Sequence, residues 1–184
     1  MTPIKQPTWR DRVPFWRRIV ERTHAKSCLD VGCGRGDSMR ALRSIGVDLE
    51  VSGVDVNLGA LREAQAAGLD VADGPIERLA YLLPQPGTEH LERPRYRIAD
   101  LVSLTASIKL FDAEGYAKAL AALDDASSHW VLLIDLEPMF PQDKMAAATK
   151  ALIQYAKRRL RLDQTGVAEG FGVPAYFSLM EQTR

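Results

Sequence analysis

The chain has little cysteine, no surplus of either charge and no long apolar run. Its two cysteines, Cys28 and Cys33, are too few for a disulfide framework and are not spaced as a C-x-x-C pair. They flank one short apolar segment and read as a buried thiol and a small turn residue; a reducing cytoplasm is the compartment that fits. Twenty-four basic residues balance 24 acidic ones, so no dominant attraction to nucleic acid or to an anionic membrane is expected. No run reaches transmembrane length, and no signal-peptide pattern opens the chain. His24, His90 and His129 show no common pattern and read as surface or packing residues, so no metal site is expected. Internal repeats and low-complexity tracts are lacking. At 184 residues a single domain with one good core is expected, with an N-terminal helical segment over 1–24 and a core over 25–184.

What is present centres on Leu29-Asp30-Val31-Gly32-Cys33-Gly34-Arg35-Gly36. An apolar run ends in an acid, three glycines alternate, and a helical pattern follows. This is a strand, a tight turn and a helix start, the arrangement that brings a backbone against an adenosine-bearing ligand. A Cβ in the turn would block both the bend and the approach of the ligand, and the N–H groups at the helix start point at what is bound. The spacing narrows the ligand. A dinucleotide fingerprint needs its third glycine at the sixth position, where Asp37 stands instead, and the Gly-Lys-Ser/Thr end of a P-loop is missing. Asp30 suits a ligand with a positive amino group better than a diphosphate. A second apolar run, Val51-Ser52-Gly53-Val54-Asp55-Val56, ends in an acid about 20 residues beyond the glycines, the distance at which a carboxylate accepts both ribose hydroxyls.

The pattern Asp-x-Gly-x-Gly-x-Gly, joined to Asp55, resembles motif I of the class I S-adenosylmethionine-dependent methyltransferases. The remaining pattern agrees. Strands are expected near 27–31, 50–55, 70–72, 99–104, 130–136, 160–165 and 175–180. Helices are expected over 11–23, from Asp37 or Ser38 to Gly46, from Asn57 to Gly68, after an Asp112 cap, and from Pro141 to about Arg159. Pro75 can open a further helical turn, and 84–95 reads as a loop. Strands alternating with helices give a doubly wound α/β fold: a mostly parallel seven-stranded sheet, helices on both faces, the last strand antiparallel. The resemblance implies the same architecture from residue 27 onward, with its sharp motifs in 29–57.

In open α/β sheets ligands bind outside the carboxyl ends of the strands. The resemblance then implies S-adenosyl-L-methionine as cofactor, with S-adenosyl-L-homocysteine as product. Asp30, Gly32, Cys33, Gly34 and Gly36 would hold its methionine part, Asp55 its ribose, and Val56 its adenine. Asp73 with Gly74 would meet the adenine amino group, although Asp-Gly-Pro is also ordinary turn chemistry. Leu104 closes the fourth strand beside the same site. Asp100-Leu101-Val102-Ser103-Leu104 is similar to the family's fourth-strand pattern. After it, Lys109 takes the position of a histidine found near the transferred methyl in many small-molecule enzymes, as a base, an anion ligand or a solvated lysine. Asp135 and Glu137 end the fifth strand as a base, as ligands of an acceptor hydroxyl or amine, or as structural carboxylates. Trp9, Phe15 and Trp16 with Arg10 and Arg12 precede the first strand; such a segment folds over the cofactor in relatives, where an arginine can pair with the methionine carboxylate, or it is an amphipathic helix on the sheet.

The activity this implies is direct methyl transfer to an oxygen or nitrogen of a small molecule such as a sugar or secondary metabolite. Ser103-Leu104-Thr105-Ala106-Ser107 lacks the Asp/Asn-Pro-Pro-aromatic motif of amino-directed nucleic-acid methylases, and neither cysteine is placed for base C5 methylation. Lys157, Arg158, Arg159 and Arg161 can touch phosphate or simply favour a helix C-terminus. An RNA or protein methyltransferase, and a non-catalytic binding module that needs a partner, stay open. The short chain leaves the pocket open or completed by a second subunit of a homodimer.

Overall fold

The structure is a computed structural model that describes residues 7–46, 48–76, 98–106, 113–138 and 141–183. A 3₁₀ turn over Trp9–Arg12 leads into α1 (Val13–Thr23). Then follow β1 (Ser27–Val31), α2 (Asp37–Arg43), β2 (Glu50–Asp55), α3 (Leu58–Ala66), β3 (Asp70–Asp73) and β4 (Ala99–Ala106). The chain continues through α4 (Ala113–Ala126), β5 (Ser127–Leu136), α5 (Gln142–Tyr155), β6 (Leu160–Val167) and β7 (Ala175–Gln182). The seven strands form one sheet in the order β3-β2-β1-β4-β5-β7-β6. β1 to β5 run parallel, and β7 runs antiparallel to both β5 and β6. The expected architecture is therefore the observed one.

Local chemistry explains the elements. Phe15, Trp16, Ile19, Val20 and Thr23 recur at helical spacing and are the buried residues of α1, with Pro14 in its first turn. Asn57 caps α3, its side chain accepting from the Ala60 N–H at 3.1 Å. Val131–Ile134 is buried throughout, because β5 lies in the sheet interior with helices on both faces. Two apolar clusters result. One joins α1, α2 and α3 to one face of the sheet through Phe15, Trp16, Met39, Leu42, Leu61, Leu101 and Leu132. The other joins α4 and α5 to the opposite face through Tyr116, Leu120, Leu123, Ile153 and Val131.

The structure differs from the sequence reading at element ends. α5 stops at Tyr155 rather than near Arg159, with Lys157 in the left-handed region at φ 52°. The basic residues that follow thus continue into β6 instead of a helix. β5 begins three residues earlier than the apolar run, its first turn-side residues held by Ser127, whose hydroxyl donates to the Trp130 carbonyl at 2.7 Å. Both cysteines are buried and free. The expected loop at 84–95, the Asp112 cap, His90 and Lys109 lie outside the described residues. Among the described residues no helix is long and apolar enough to cross a membrane.

Candidate functional site

Three glycines shape the turn between β1 and α2, all at positive φ: Gly32 at 72°, Gly34 at 55° and Gly36 at 81°. A Cβ on Gly32 would stand 3.0 Å from the Thr105 carbonyl oxygen, and one on Gly36 would overlap the Leu69 side chain. Both positions thus need glycine for conformation and for space. A Cβ on Gly34 would meet nothing within 4 Å, so the middle of the turn is its open side.

Three hydrogen bonds tie the turn to β2, and a fourth ties β2 to the start of α3. Gly32 and Cys33 N–H both donate to the Val54 carbonyl, at 2.8 and 3.1 Å. The Gly34 N–H donates to Asp55 Oδ2 at 2.7 Å, and the Asn57 N–H to Asp55 Oδ1 at 2.8 Å. One carboxylate therefore fixes the glycine turn and the start of α3 together. A carboxylate has about four acceptor sites, so Asp55 retains capacity for two hydroxyl donors. Asp73 stands opposite Asp55 in the β2–β3 pairing, and the Gly74 N–H donates to the Asp55 carbonyl at 3.1 Å. Val56, next along the edge, is 67% exposed. That is a large apolar side chain left open where a flat apolar ligand surface can cover it.

Asp30 lies beneath this edge, 1% exposed and facing the α1–α2 side of the sheet. It is opposite Ser103 in the β1–β4 pairing, and the Ser103 hydroxyl donates to its Oδ1 at 2.8 Å. Burial pushes its carboxyl up to about 7; the Ser103 hydrogen bond and the Arg12 charge oppose this, and Asp55 adds to it. Burial likewise pushes the Cys28 and Cys33 thiols up, with help from Asp30, so neither is a ready thiolate. Leu104 is buried between Val31 and Leu133, its Cδ1 3.9 Å from the place of a Gly32 Cβ. Its side chain belongs to the core on the α4 face as much as to the edge.

Arg12 is the residue whose importance motif spacing does not show. Its Nη1 donates to the Ser38 hydroxyl at 3.2 Å and its Nη2 to Asp37 at 3.4 Å, both long bonds. Its Nε is buried with no hydrogen-bond partner among the described residues. The Thr105 hydroxyl, at the end of β4, is buried without one too. A segment rich in arginine and aromatics ahead of β1 was the available signal, but that pattern does not single out Arg12 from Arg10. Arg10 instead stacks on Trp9 at 4.7 Å.

Asp135 is 2% exposed near the end of β5, paired with Ala106 and Tyr176 in the sheet. Its charge, after burial, raises the Tyr116 phenol pKa. Glu137 follows β5, exposed and left-handed at φ 53°, its N–H donating to the Pro174 carbonyl at 2.8 Å. The sheet therefore brings Asp30, the glycine turn, Asp55, Asp73, Asp135 and Glu137 to one edge. Asp100 is placed at the other. It begins β4 and accepts from the Lys26 and Ser27 N–H groups at 2.8 and 3.2 Å, and from the Ser128 hydroxyl at 3.2 Å. A hollow of about 690 Å³ also lies at that amino end, lined by Lys26, Arg43, Asp48, Glu50 and Asp70 among others. Strand topology rather than hollow size selects the carboxyl edge as the candidate site. Asp30, Asp55 and Asp73 lie at or beneath this edge, with Asp37 paired to Arg12, an arrangement suited to a cationic ligand and adverse to a diphosphate.

No family model matches the chain, and no curated sequence matches it. Solved structures do. A methyltransferase of Clostridium acetobutylicum that depends on S-adenosylmethionine is similar over 99% of this chain and 94% of its own, at 11% identity and TM-score 0.66. The plantazolicin methyltransferase BamL, solved with a triazolic desmethylplantazolicin analogue and S-adenosylhomocysteine, covers 96% and 86% at 12% identity and TM-score 0.66. Magnesium protoporphyrin IX methyltransferase of Synechocystis, solved with bound S-adenosylmethionine, covers 93% and 79% at 13% identity and TM-score 0.63. The chain has the fold of the class I S-adenosylmethionine-dependent methyltransferases.

Proposed function

We propose that this chain is an enzyme that transfers the methyl group of S-adenosyl-L-methionine to an oxygen or nitrogen of a small-molecule acceptor, leaving S-adenosyl-L-homocysteine. The observation that carries the reading is the Asp55 carboxylate, which locks the glycine turn to β2 and keeps acceptor capacity at the edge where a ribose would lie. The residues present fit the cofactor. Its ammonium and sulfonium charges match Asp30 and the surrounding carboxylates, and its carboxylate matches the guanidinium of Arg12, whose Nε is buried with no partner among the described residues. Asp55 would accept the ribose hydroxyls, Asp73 beside Gly74 the adenine amino group, and Val56 and Leu104 would flank the adenine ring. Gly32, Cys33, Gly34 and Gly36 would line the methionine portion.

Bound there, the sulfonium supplies an already activated methyl. Catalysis by this chain is then mostly positioning of a nucleophile in line, about 3 Å from the carbon. The chain's part would be to hold the acceptor lone pair in line with that methyl, with the thioether of S-adenosylhomocysteine as the leaving group that keeps the electron pair. A hydroxyl acceptor must also lose a proton, and Asp135 or Glu137 would take or relay it. Lys109, the third candidate, lies outside the described residues. No dyad or triad is required, which agrees with the sequence offering none.

Calorimetric titration with S-adenosylmethionine and S-adenosylhomocysteine tests the reading, beside an Asp55→Ala variant. Binding at about micromolar Kd or tighter, lost in the variant, is the expected result. It licenses an acceptor screen with radiolabelled methyl. A folded wild type that binds neither ligand overturns the proposal. Steep salt dependence of acceptor binding would redirect it from small molecules to RNA.

A further inference from the structure

The tip of the β6–β7 hairpin is built against the N-terminal segment. Gly170 and Gly172 are both left-handed, at φ 84° and 77°. A Cβ on Gly170 would overlap the Asp11 carbonyl, and one on Gly172 would overlap the Pro7 ring. Between them Phe171 is 8% exposed, its ring edge-on to Phe15 at 5.8 Å and beneath the Arg12 guanidinium at 4.5 Å. Glu169 reaches Arg18 of α1 at 2.9 Å. The antiparallel run of β7 puts this tip at the same sheet edge as the glycine turn, where Pro174 accepts from Glu137.

These contacts bear on Arg12. Its two hydrogen bonds are long, and its Nε has no partner among the described residues. Polar contacts alone leave a long, rotamer-rich side chain free to swing toward Asp37 and water. A ring 4.5 Å from the guanidinium carbon restrains the group by a cation–π contact and takes none of its N–H donors, so the long bonds to Ser38 and Asp37 are the ones a ligand carboxylate would replace.

We propose that Phe171 is a positioning residue: the hairpin tip clasps the N-terminal segment and holds the Arg12 guanidinium ready for a ligand carboxylate. The far end of the chain thereby completes the site that the glycine turn begins. The inference rests on S-adenosylmethionine as the cofactor and names what orients one end of it.

The test compares two ligands. S-adenosylhomocysteine carries the aminocarboxylate; 5′-methylthioadenosine keeps the adenosine and thioether and lacks it. Each is titrated by calorimetry into wild type, Phe171→Leu and Phe171→Tyr, with folding checked by circular dichroism. Phe171→Leu is expected to weaken S-adenosylhomocysteine about 3- to 30-fold and to leave methylthioadenosine within about twofold. Phe171→Tyr, which keeps the ring, is expected to stay near wild type for both. In an Arg12→Ala background, Phe171→Leu should add no further loss. Phe171→Met, unbranched and without a ring, gives the same reading where leucine does not fold.

Equal loss of both ligands would make Phe171 a packing residue and overturn the proposal. So would unchanged binding of both, or a full additional loss in the Arg12→Ala background. A folded wild type that binds neither ligand removes the cofactor reading and this inference with it. A wild type that binds both while Phe171→Leu changes neither removes the inference alone.

Discussion

Replacing Asp30 by asparagine separates what this carboxylate costs the fold from what it offers a ligand. Asp30 is 1% exposed, and burial pushes its carboxyl up to about 7 despite the hydrogen bond from Ser103 and the charge of Arg12. From an ordinary value near 4, that rise of about three pKa units corresponds to about 4 kcal/mol. The sign follows from proton linkage. With the folded-state pKa raised, folding takes up a proton between about pH 4 and pH 7. Stability is complete below that window, falls across it, and stays lower above it. Asparagine is neutral at every pH, and its Oδ1 can still accept from Ser103. The stability of Asp30→Asn relative to wild type should therefore grow by about 4 kcal/mol between about pH 4 and pH 8. Any constant offset from the new amide leaves that growth untouched. Urea denaturation followed by circular dichroism, in small pH steps across the window, measures it. A difference that is flat with pH, or that shrinks as pH rises, refutes the reasoning. Binding reports the other half. A cationic ligand over Asp30 favours the ionised form, so wild-type affinity for S-adenosylmethionine should rise up to about pH 7 and then level. The variant should bind more weakly by a margin that opens as pH rises toward about 7.

Two further substitutions separate the turn from the opposite edge. Gly36→Ala forces a side chain into φ 81° against Leu69; a loss of about 1–3 kcal/mol is expected in urea denaturation, with weakened S-adenosylhomocysteine binding. Asp100→Ala removes an acceptor shared by the Lys26 and Ser27 N–H groups and the Ser128 hydroxyl. It should cost about 1–3 kcal/mol of stability and leave cofactor affinity unchanged, because it lies at the amino end of the strands; a loss of affinity in a folded variant would contradict that placement.

The parts of the site that were legible in the sequence are those whose physics is local. Gly32, Gly34 and Gly36 announce themselves because positive φ in a strand-to-helix turn admits few other residues. Asp55 announces itself because a parallel β-α-β unit has a narrow range of lengths, so the tip of the next strand falls at a known distance. Asp30 stands out because it breaks an apolar run, but its partner Ser103 does not, since that pairing needs β4 on the far side of β1 from β2. Asp100 begins β4 as the expected strand over 99–104 has it, but its partners at the amino ends of β1 and β5 are set by strand order and leave no local mark.

The rest was not legible because it is made by chain segments that meet only after folding. Arg10 and Arg12 are equivalent in composition and two residues apart. The 3₁₀ turn at Trp9–Arg12 sends one over Trp9 and the other over Phe171, more than a hundred residues away. Nothing periodic marks Glu169-Gly170-Phe171-Gly172. Both glycines are left-handed, as a turn alone could ask, but each also makes room for a backbone or ring of the N-terminal segment. A glycine needed by its own turn leaves a signature in its neighbours, whereas a glycine needed by a distant partner leaves it in that partner. On the proposed reading, a pocket for the methyl acceptor is of this second kind, because it has to be assembled at the carboxyl edge from more than one strand. Asp135, near the end of β5, and Glu137, just after it, are acids placed at that edge.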